Sequence, residues 1–225
     1  MARKTKEAAA ITREGLIDAA QVVFCKYGVT RTSLAEVAAE AGVTRGAVYW
    51  HFKNKADLFK AMCARATLPL ESMLEAASRA DPDNPVGALR NLMVDTLQHL
   101  ARDPRTQAVF EIVFSKTEAC AELGQVAQRR DDERCECLAQ VEILVRRGVE
   151  LGHLPADTDP AVTTQLLQSC MGGIMREWVM NRGAYDLESA APSMVDCIVA
   201  GLTTRPPRRS ERVRPRVRAR STQSA

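Results

Sequence analysis

The stretch TSLAEVAAEAGVTRGAVYWHFKNK, residues 32–55, limits the possible fold more than any other part of the sequence. Ser33 is followed three residues later by Glu36, with apolar Leu34, Val37, Ala38 and Ala41 at helical spacing behind them. That pattern is a capping box opening a short amphipathic helix. Gly42 can take a positive φ and end this helix near Ala41, and Val43 is the apolar residue that follows such a cap. Thr44 is placed to cap a second helix over residues 45–52. In it Ala47 and Val48 occupy one side, and Arg45, Gly46, Tyr49, Trp50 and His51 the other. Two short helices joined by a glycine-containing turn make a helix-turn-helix, which presents its second helix to the major groove of DNA.

The rest of the chain reads as helices. Residues 1–11 form a polar arm with Arg3, Lys4 and Lys6, expected to be mobile until DNA is present. A helix over residues 12–27 follows, with Ile17, Ala20, Val23, Phe24 and Tyr27 on its apolar face and Gly28 at its end. Asn54 caps a long fourth helix, with Asp57 completing a second capping box and Leu58, Phe59, Met62, Ala66 and Leu70 along one side. The turn DPDNPVGA, residues 81–88, separates it from the next pattern, Val86, Leu89, Leu92, Met93, Thr96, Leu97 and Leu100. A break at Asp103 and Pro104 precedes a sixth helix carrying Val109, Phe110, Val113 and Phe114. Residues 122–152 make a long charged helix, Asp159 and Pro160 open an eighth through residue 181, and Pro192 opens or bends a last one ending near 204. About nine helices, with neither strand nor repeat, indicate an all-α fold: an N-terminal three-helix unit plus a larger helical domain.

Charge separates along the chain. Residues 1–60 hold ten Lys or Arg against six acids, net +4; residues 61–204 hold 13 against 21, net −8; residues 205–225 hold eight arginines against Glu211, net +7. A basic unit carrying a helix-turn-helix is the electrostatic footprint of a nucleic-acid binder, although +4 alone is common in small domains. The final segment, with three prolines and no apolar period, is expected to be disordered. No apolar run is long enough to span a membrane and no leader is evident, so the protein is expected to be cytoplasmic and to act away from membranes. The seven cysteines are scattered through helical patterns, an odd number that fits reduced thiols, mostly small core residues. No catalytic signature is present, and His51, His99 and His153 lie far apart. Neither an enzyme, a metal site nor a cofactor is expected. Cys135 and Cys137, two apart on a helix, project to different faces and serve a shared metal poorly.

On the second helix of the motif, Arg45 can give two hydrogen bonds to guanine O6 and N7, a contact worth about 1–3 kcal/mol of discrimination. Gly46 removes a side chain where backbone must approach the duplex. Thr44, Tyr49, His51 and Lys55 offer donors suited to phosphate, which position the protein without reading sequence. Trp50 either joins this surface or packs on its own domain.

The run GVTRGAVYWHFKNKADLF resembles the DNA-binding signature of the TetR family of transcriptional regulators, and with the MARKTK start it resembles the branch that represses multidrug-efflux operons. The likeness in motif covers roughly residues 12–60, about a quarter of the chain. The resemblance implies DNA contacts at Ser33, Thr44, Arg45, Gly46, Tyr49, Trp50, His51 and Lys55. It implies a DNA-binding domain over residues 1–54 and a ligand-binding and dimerisation domain over 55–204, with 205–225 as a basic tail. Leu92, Met93, Thr96, Phe110, Phe114, Cys137, Val141, Met171 and Met175 then line an effector pocket, with Arg176 or Glu111 as polar contacts, although core packing accounts for each of these singly. The last two helices, with Gly172 and Gly173, correspond to a dimerising pair. The implied partners are double-stranded palindromic operator DNA, a hydrophobic small-molecule effector and a second copy of the chain. The alternative is a DNA-binding regulator switched by cysteine oxidation or by a protein partner.

Overall fold

The computed structural model describes residues 2–80, 82–116, 124–181 and 184–209, and the side chains of these except 2–6, 67–71, 74–75, 77–80, 116 and 124–136. Within them the helices are α1 Ala2–Tyr27, α2 Leu34–Glu40, α3 Arg45–His51, α4 Lys55–Ala80, α5 Pro85–Arg102, α6 Pro104–Glu111, α7 Gly124–Glu150, α8 Pro160–Met180 and α9 Leu187–Thr204, with a π turn at Ile112–Lys116 continuing α6.

Short polar side chains start most of these helices. The Ser33 hydroxyl accepts from the Glu36 N–H and the Glu36 carboxylate accepts from the Ser33 N–H at 2.7 Å, closing the expected capping box. Thr44, Asn84, Asp103, Asp159 and Asp186 each accept from backbone N–H groups in the first turn of α3, α5, α6, α8 and α9. Asn54 accepts from the Asp57 N–H at 2.8 Å, but the Asp57 carboxylate takes its bond from Lys53 N–H, one residue earlier than a standard box. Gly42 ends the first motif helix at φ +66°, the left-handed conformation that side chains with a Cβ resist.

Four boundaries differ from those read in the sequence. Helix α1 begins at Ala2, because the alanine, lysine and glutamate of residues 2–11 are good helix formers that simply extend the turns behind them. The expected arm is therefore helical. Helix α5 opens at Pro85, inside the turn expected over 81–88, since proline suits a first helical position. Helix α9 opens at Leu187 and encloses Pro192. Proline has no N–H to give to the Glu188 carbonyl, and the Gln98 side chain of α5 donates to that carbonyl instead at 3.3 Å. Finally, residues 205–209 are held in place: Asp159 N–H donates to the Pro207 carbonyl at 2.7 Å, Arg209 N–H to the Asp157 carbonyl at 2.9 Å, and Arg208 pairs with the Asp157 carboxylate at 3.1 Å. The expected disordered tail thus cannot begin before residue 210, and residues 210–225 lie outside the described residues.

Two apolar cores organise the chain. The first combines Leu16, Ile17, Ala20 and Phe24 of α1, Val37 and Ala38 of α2, Val48 of α3, Phe52, and Leu58, Phe59 and Met62 of α4. The rings of Phe24 and Phe59 meet edge to face at 6.2 Å. The division expected at residues 54/55 therefore falls at the start of a helix whose first turns belong to the N-terminal core. The second core joins Leu89, Met93 and Leu97 of α5, Leu144 and Val145 of α7, Leu167, Met175 and Trp178 of α8, and Leu187, Ala191 and Val195 of α9. Antiparallel α5 and α9 are tied by Arg90 to Asp196 at 2.6 Å and Arg102 to Glu188 at 2.7 Å. The segment α6 and its π turn lies between the cores: Val109 and Ile112 are buried in the first, while Phe110 and Phe114 pack against the second.

A Cβ at Gly42 would meet nothing within 4 Å, so Gly42→Ala carries only the conformational cost of the left-handed region. That cost is about 1–2 kcal/mol, which should lower the thermal midpoint by several degrees in circular dichroism, and Gly42→Asn should lose less.

Candidate nucleic-acid interface

Helix α3 has seven residues, of which Val48 is fully buried, and its C-terminal neighbour Phe52 is 1% exposed. These two side chains hold the helix on α1, α2 and α4, and the opposite face is left to solvent. Tyr49 is 49% and Trp50 73% exposed, and Thr44, Arg45 and Gly46 are exposed beside them. Trp50 therefore does not pack into its own domain; its ring and that of His51 meet edge to face, with centroids 4.5 Å apart. Thr44, Arg45, Gly46, Tyr49 and Trp50 are thus all exposed on α3 and its cap.

Their hydrogen bonds distinguish them. Thr44 Oγ1 accepts from the Ala47 N–H at 3.3 Å, which leaves the hydroxyl hydrogen for an outside acceptor. Ser33 is engaged more fully, because its hydroxyl also donates to the Glu36 carboxylate at 2.8 Å. Those same bonds from Ser33, backbone first, hold the Glu36 carboxyl below its usual pKa. Lys55 is half-buried, and its ammonium donates to the carbonyls of Thr30 and Thr32, both at 3.0 Å. It fastens the turn between α1 and α2, a structural task that exists beside any contact with phosphate. Gly46 has helical φ, and a Cβ there would meet only Thr44 Oγ1, at 3.9 Å. Nothing inside the protein requires glycine at this position.

Arg13 of α1, exposed beside the motif, is not singled out by the sequence. Its guanidinium carbon lies 5.2 Å above the Phe52 ring. Burial, and secondarily the charge of Arg13, keep the His51 pKa below its ordinary value, so His51 is a neutral imidazole near pH 7. Arg13 and Phe52 are 39 residues apart, with α2 and α3 between them, so local pattern does not pair them.

The residues expected around an effector are gathered in the other domain. Met93 and Met175 are buried in the second core, and Leu92, Phe110, Phe114, Val141 and Met171 are half-buried against it. Thr96 is half-buried one turn along α5 from Leu92. The rings of Phe110 and Phe114 stack with centroids 5.5 Å apart, and the exposed Arg176 guanidinium stands 5.9 Å from the Phe114 centroid. Two of the expected residues stand apart from these neighbours. Cys137 is exposed, although it lies one turn before Val141 on the same side of α7. Glu111 accepts from the Cys25 thiol of α1 at 3.5 Å and so faces the DNA-binding unit. Cys63 is buried, Cys170 half-buried and Cys197 exposed, while Cys120 and the Cys135 side chain lie outside the described residues.

An all-helical chain with a solvent-facing second motif helix on a three-helix core, joined to a larger helical unit, is a DNA-binding transcription regulator by construction. Residues 16–62 match the bacterial regulatory proteins of the tetR family, and residues 84–204 match the MAATS-type transcriptional repressor C-terminal region. The HTH-type transcriptional repressor BepR of Brucella suis biovar 1 (strain 1330) is 34% identical over 200 residues, covering 89% of this chain and 96% of BepR. Among solved structures, NalD, the secondary repressor of the MexAB-OprM multidrug efflux pump in Pseudomonas aeruginosa, aligns with a TM-score of 0.78 at 30% identity, over 88% of this chain and 99% of NalD. The SmeT complex with triclosan aligns with a TM-score of 0.75 at 33% identity, over 85% of this chain and 91% of SmeT. SmeT is the repressor of the Stenotrophomonas maltophilia multidrug efflux pump SmeDEF. The chain belongs to the TetR family, whose members are transcriptional regulators. Among the described residues no helix is long and apolar enough to cross a membrane.

Gly46→Ala separates folding from binding. Alanine in a helix is worth about 0.5–1 kcal/mol over glycine, so the thermal midpoint should rise slightly. If the duplex approaches at Gly46, the added methyl should lower operator affinity at least severalfold in a gel-shift titration; unchanged affinity would remove Gly46 from the interface.

Proposed function

We propose that the chain is a cytoplasmic, homodimeric repressor of a multidrug-efflux operon that leaves a palindromic operator when a hydrophobic small molecule binds its helical domain. The observation that carries this reading is the exposed polar face of α3, with Arg45, Gly46, Tyr49 and Trp50 unburied on a helix anchored by Val48. It is supported by the efflux-pump repressors NalD and SmeT, which align over most of the chain, and by SmeT having been solved with triclosan. In this reading Ser33, Thr44, Arg45, Gly46, Tyr49, Trp50 and His51 meet DNA, Arg45 reads bases, and Lys55 combines its structural bonds with phosphate attraction.

Dimerisation is supported by the outer face of α8. Val162 is 52%, Leu166 41% and Met180 47% exposed, and Ala161, Val162, Gln165, Leu166 and Ser169 line a shallow open depression there. A Cβ at Gly172 or Gly173 would meet nothing within 4 Å in the single chain. Apolar surface and open glycines on one helix suit the close approach of the same helix from a second copy. The dimer sets two reading helices about one turn of DNA apart, roughly 34 Å, or a multiple of it.

Release follows from the segment shared by the two cores. A ligand seated among Met93, Met171, Met175, Phe110 and Phe114 displaces the stacked phenylalanine rings, with the methionines adapting to its shape. Val109 and Ile112 on the same segment press on α1, so the displacement reaches the DNA-binding unit without passing through a flexible link. Such coupling is typically 1–3 kcal/mol, about 5- to 150-fold, and is reciprocal.

The decisive experiment is fluorescence anisotropy on an operator duplex selected from a random pool, with and without a panel of hydrophobic dyes and antibiotics. Loss of operator affinity with ligand, and an equal loss of ligand affinity with operator, is expected; oxidant-driven release with no ligand response would favour a thiol switch instead. Phe114→Ala should weaken the ligand response at least tenfold while leaving ligand-free operator affinity within about twofold. A mutant that loses operator binding without ligand would make Phe114 a core residue only.

A further inference from the structure

Arg45 and Tyr49 stand four residues apart on the exposed face of α3, the spacing that stacks side chains along a helix. Arg45 Nη2 donates to the Tyr49 hydroxyl oxygen at 3.3 Å, and the guanidinium carbon lies 5.5 Å from the centre of the same ring. A guanidinium has donors only, so the phenol oxygen must be the acceptor and its own hydrogen is directed elsewhere. On a surface laid against a duplex, the acceptors that meet an outward hydroxyl hydrogen are phosphate oxygens. One tyrosine can therefore hold the reading arginine and the DNA backbone at the same time.

We infer that Tyr49 is a positioning residue for base readout, fixing the Arg45 guanidinium against its ring and tying that orientation to a phosphate. The inference rests on the reading of Arg45 as the base-contacting residue. One of the two Nη2 hydrogens serves Tyr49, so the second, with those of Nη1 and Nε, leaves a complete fork for guanine O6 and N7. An exposed arginine otherwise samples many rotamers and loses them on docking, a penalty that lowers affinity by about two- to tenfold. The ring and hydroxyl of Tyr49 remove much of that freedom before DNA arrives. Tyr49 contributes through Arg45 as well as through its own phosphate bond, and the two contributions are separable because only the first depends on the base pair.

The test uses Tyr49→Phe, Arg45→Ala and the double variant of the full chain. Each is titrated against the selected operator and against duplexes carrying single base-pair substitutions, over a range of salt concentrations. Tyr49→Phe should lose about three- to tenfold on the operator and less on the duplex substituted at the pair Arg45 reads, so that discrimination there shrinks. The salt slope should stay unchanged, because a neutral hydroxyl releases no counterion. With Ala at position 45, the same Tyr49→Phe change should leave discrimination untouched. Thermal midpoints within about a degree of the parent exclude a folding defect, as Tyr49 is half exposed. Equal losses on operator and substituted duplexes, or an unchanged Tyr49→Phe effect with Ala at position 45, would overturn the inference and leave Tyr49 as a phosphate contact. If Arg45→Ala alone preserves discrimination at every pair, the reading of Arg45 fails, and this inference with it.

Discussion

The burial of Val48 and Phe52 is the contact on which the DNA-facing surface depends. A helix of seven residues is too short to persist in water by its own hydrogen bonds, since nucleation is costly and few turns are gained. Helix α3 exists because these two side chains are inserted among Leu16, Phe24, Val37 and Leu58. Fully burying one valine or phenylalanine is worth about 1.5–3 kcal/mol. Two of them outweigh the weak propensity of a sequence with glycine, tryptophan and histidine in it. Once anchored this way, Arg45, Gly46, Tyr49 and Trp50 carry no packing duty in the core.

The first core is not closed by the DNA-binding sequence alone. Val109 and Ile112 arrive from α6 and complete it, while Phe110 and Phe114 of the same segment turn to the other core. Side chains at successive positions on one short helix thus feel both environments. Arg65 of α4 adds a polar tie, donating to Asp18 at 2.6 Å and to Gln21 at 2.8 Å on α1, and Arg105 at the start of α6 approaches Asp18 at 3.8 Å. The N-terminal unit is thus tied to both α4 and α6, the contacts on which the proposed release depends.

The same geometry explains why several residues have two tasks. Lys55 fastens the turn before α2 through the carbonyls of Thr30 and Thr32, and Ser33 both caps α2 and stands at the rim of the interface. In the proposed reading, substitutions at Ser33 or Lys55 mix stability with binding, whereas Gly46, where a Cβ would meet only Thr44 Oγ1 at 3.9 Å, separates the two.

What the sequence determined by itself is local. Ser33 with Glu36, Thr44, Asn54, Asp103 and Asp159 mark helix starts because a cap and its N–H partner are within four residues of each other. Gly42 marks a stop because its φ is a property of one residue, and the apolar period within the motif identifies Val48 as the buried side of α3. What only the tertiary structure decided involves partners distant in the chain. Helix α9 runs through Pro192 because Gln98 supplies the missing donor; residues 205–209 are fixed because the turn at 157–159 is there to receive them. Glu111 meets Cys25 of α1, and Arg13 lies over the Phe52 ring, because whole helices bring distant residues together. The reason is the same in each case: capping and periodicity act over one or two turns, whereas the choice of facing side chain depends on how whole helices are packed.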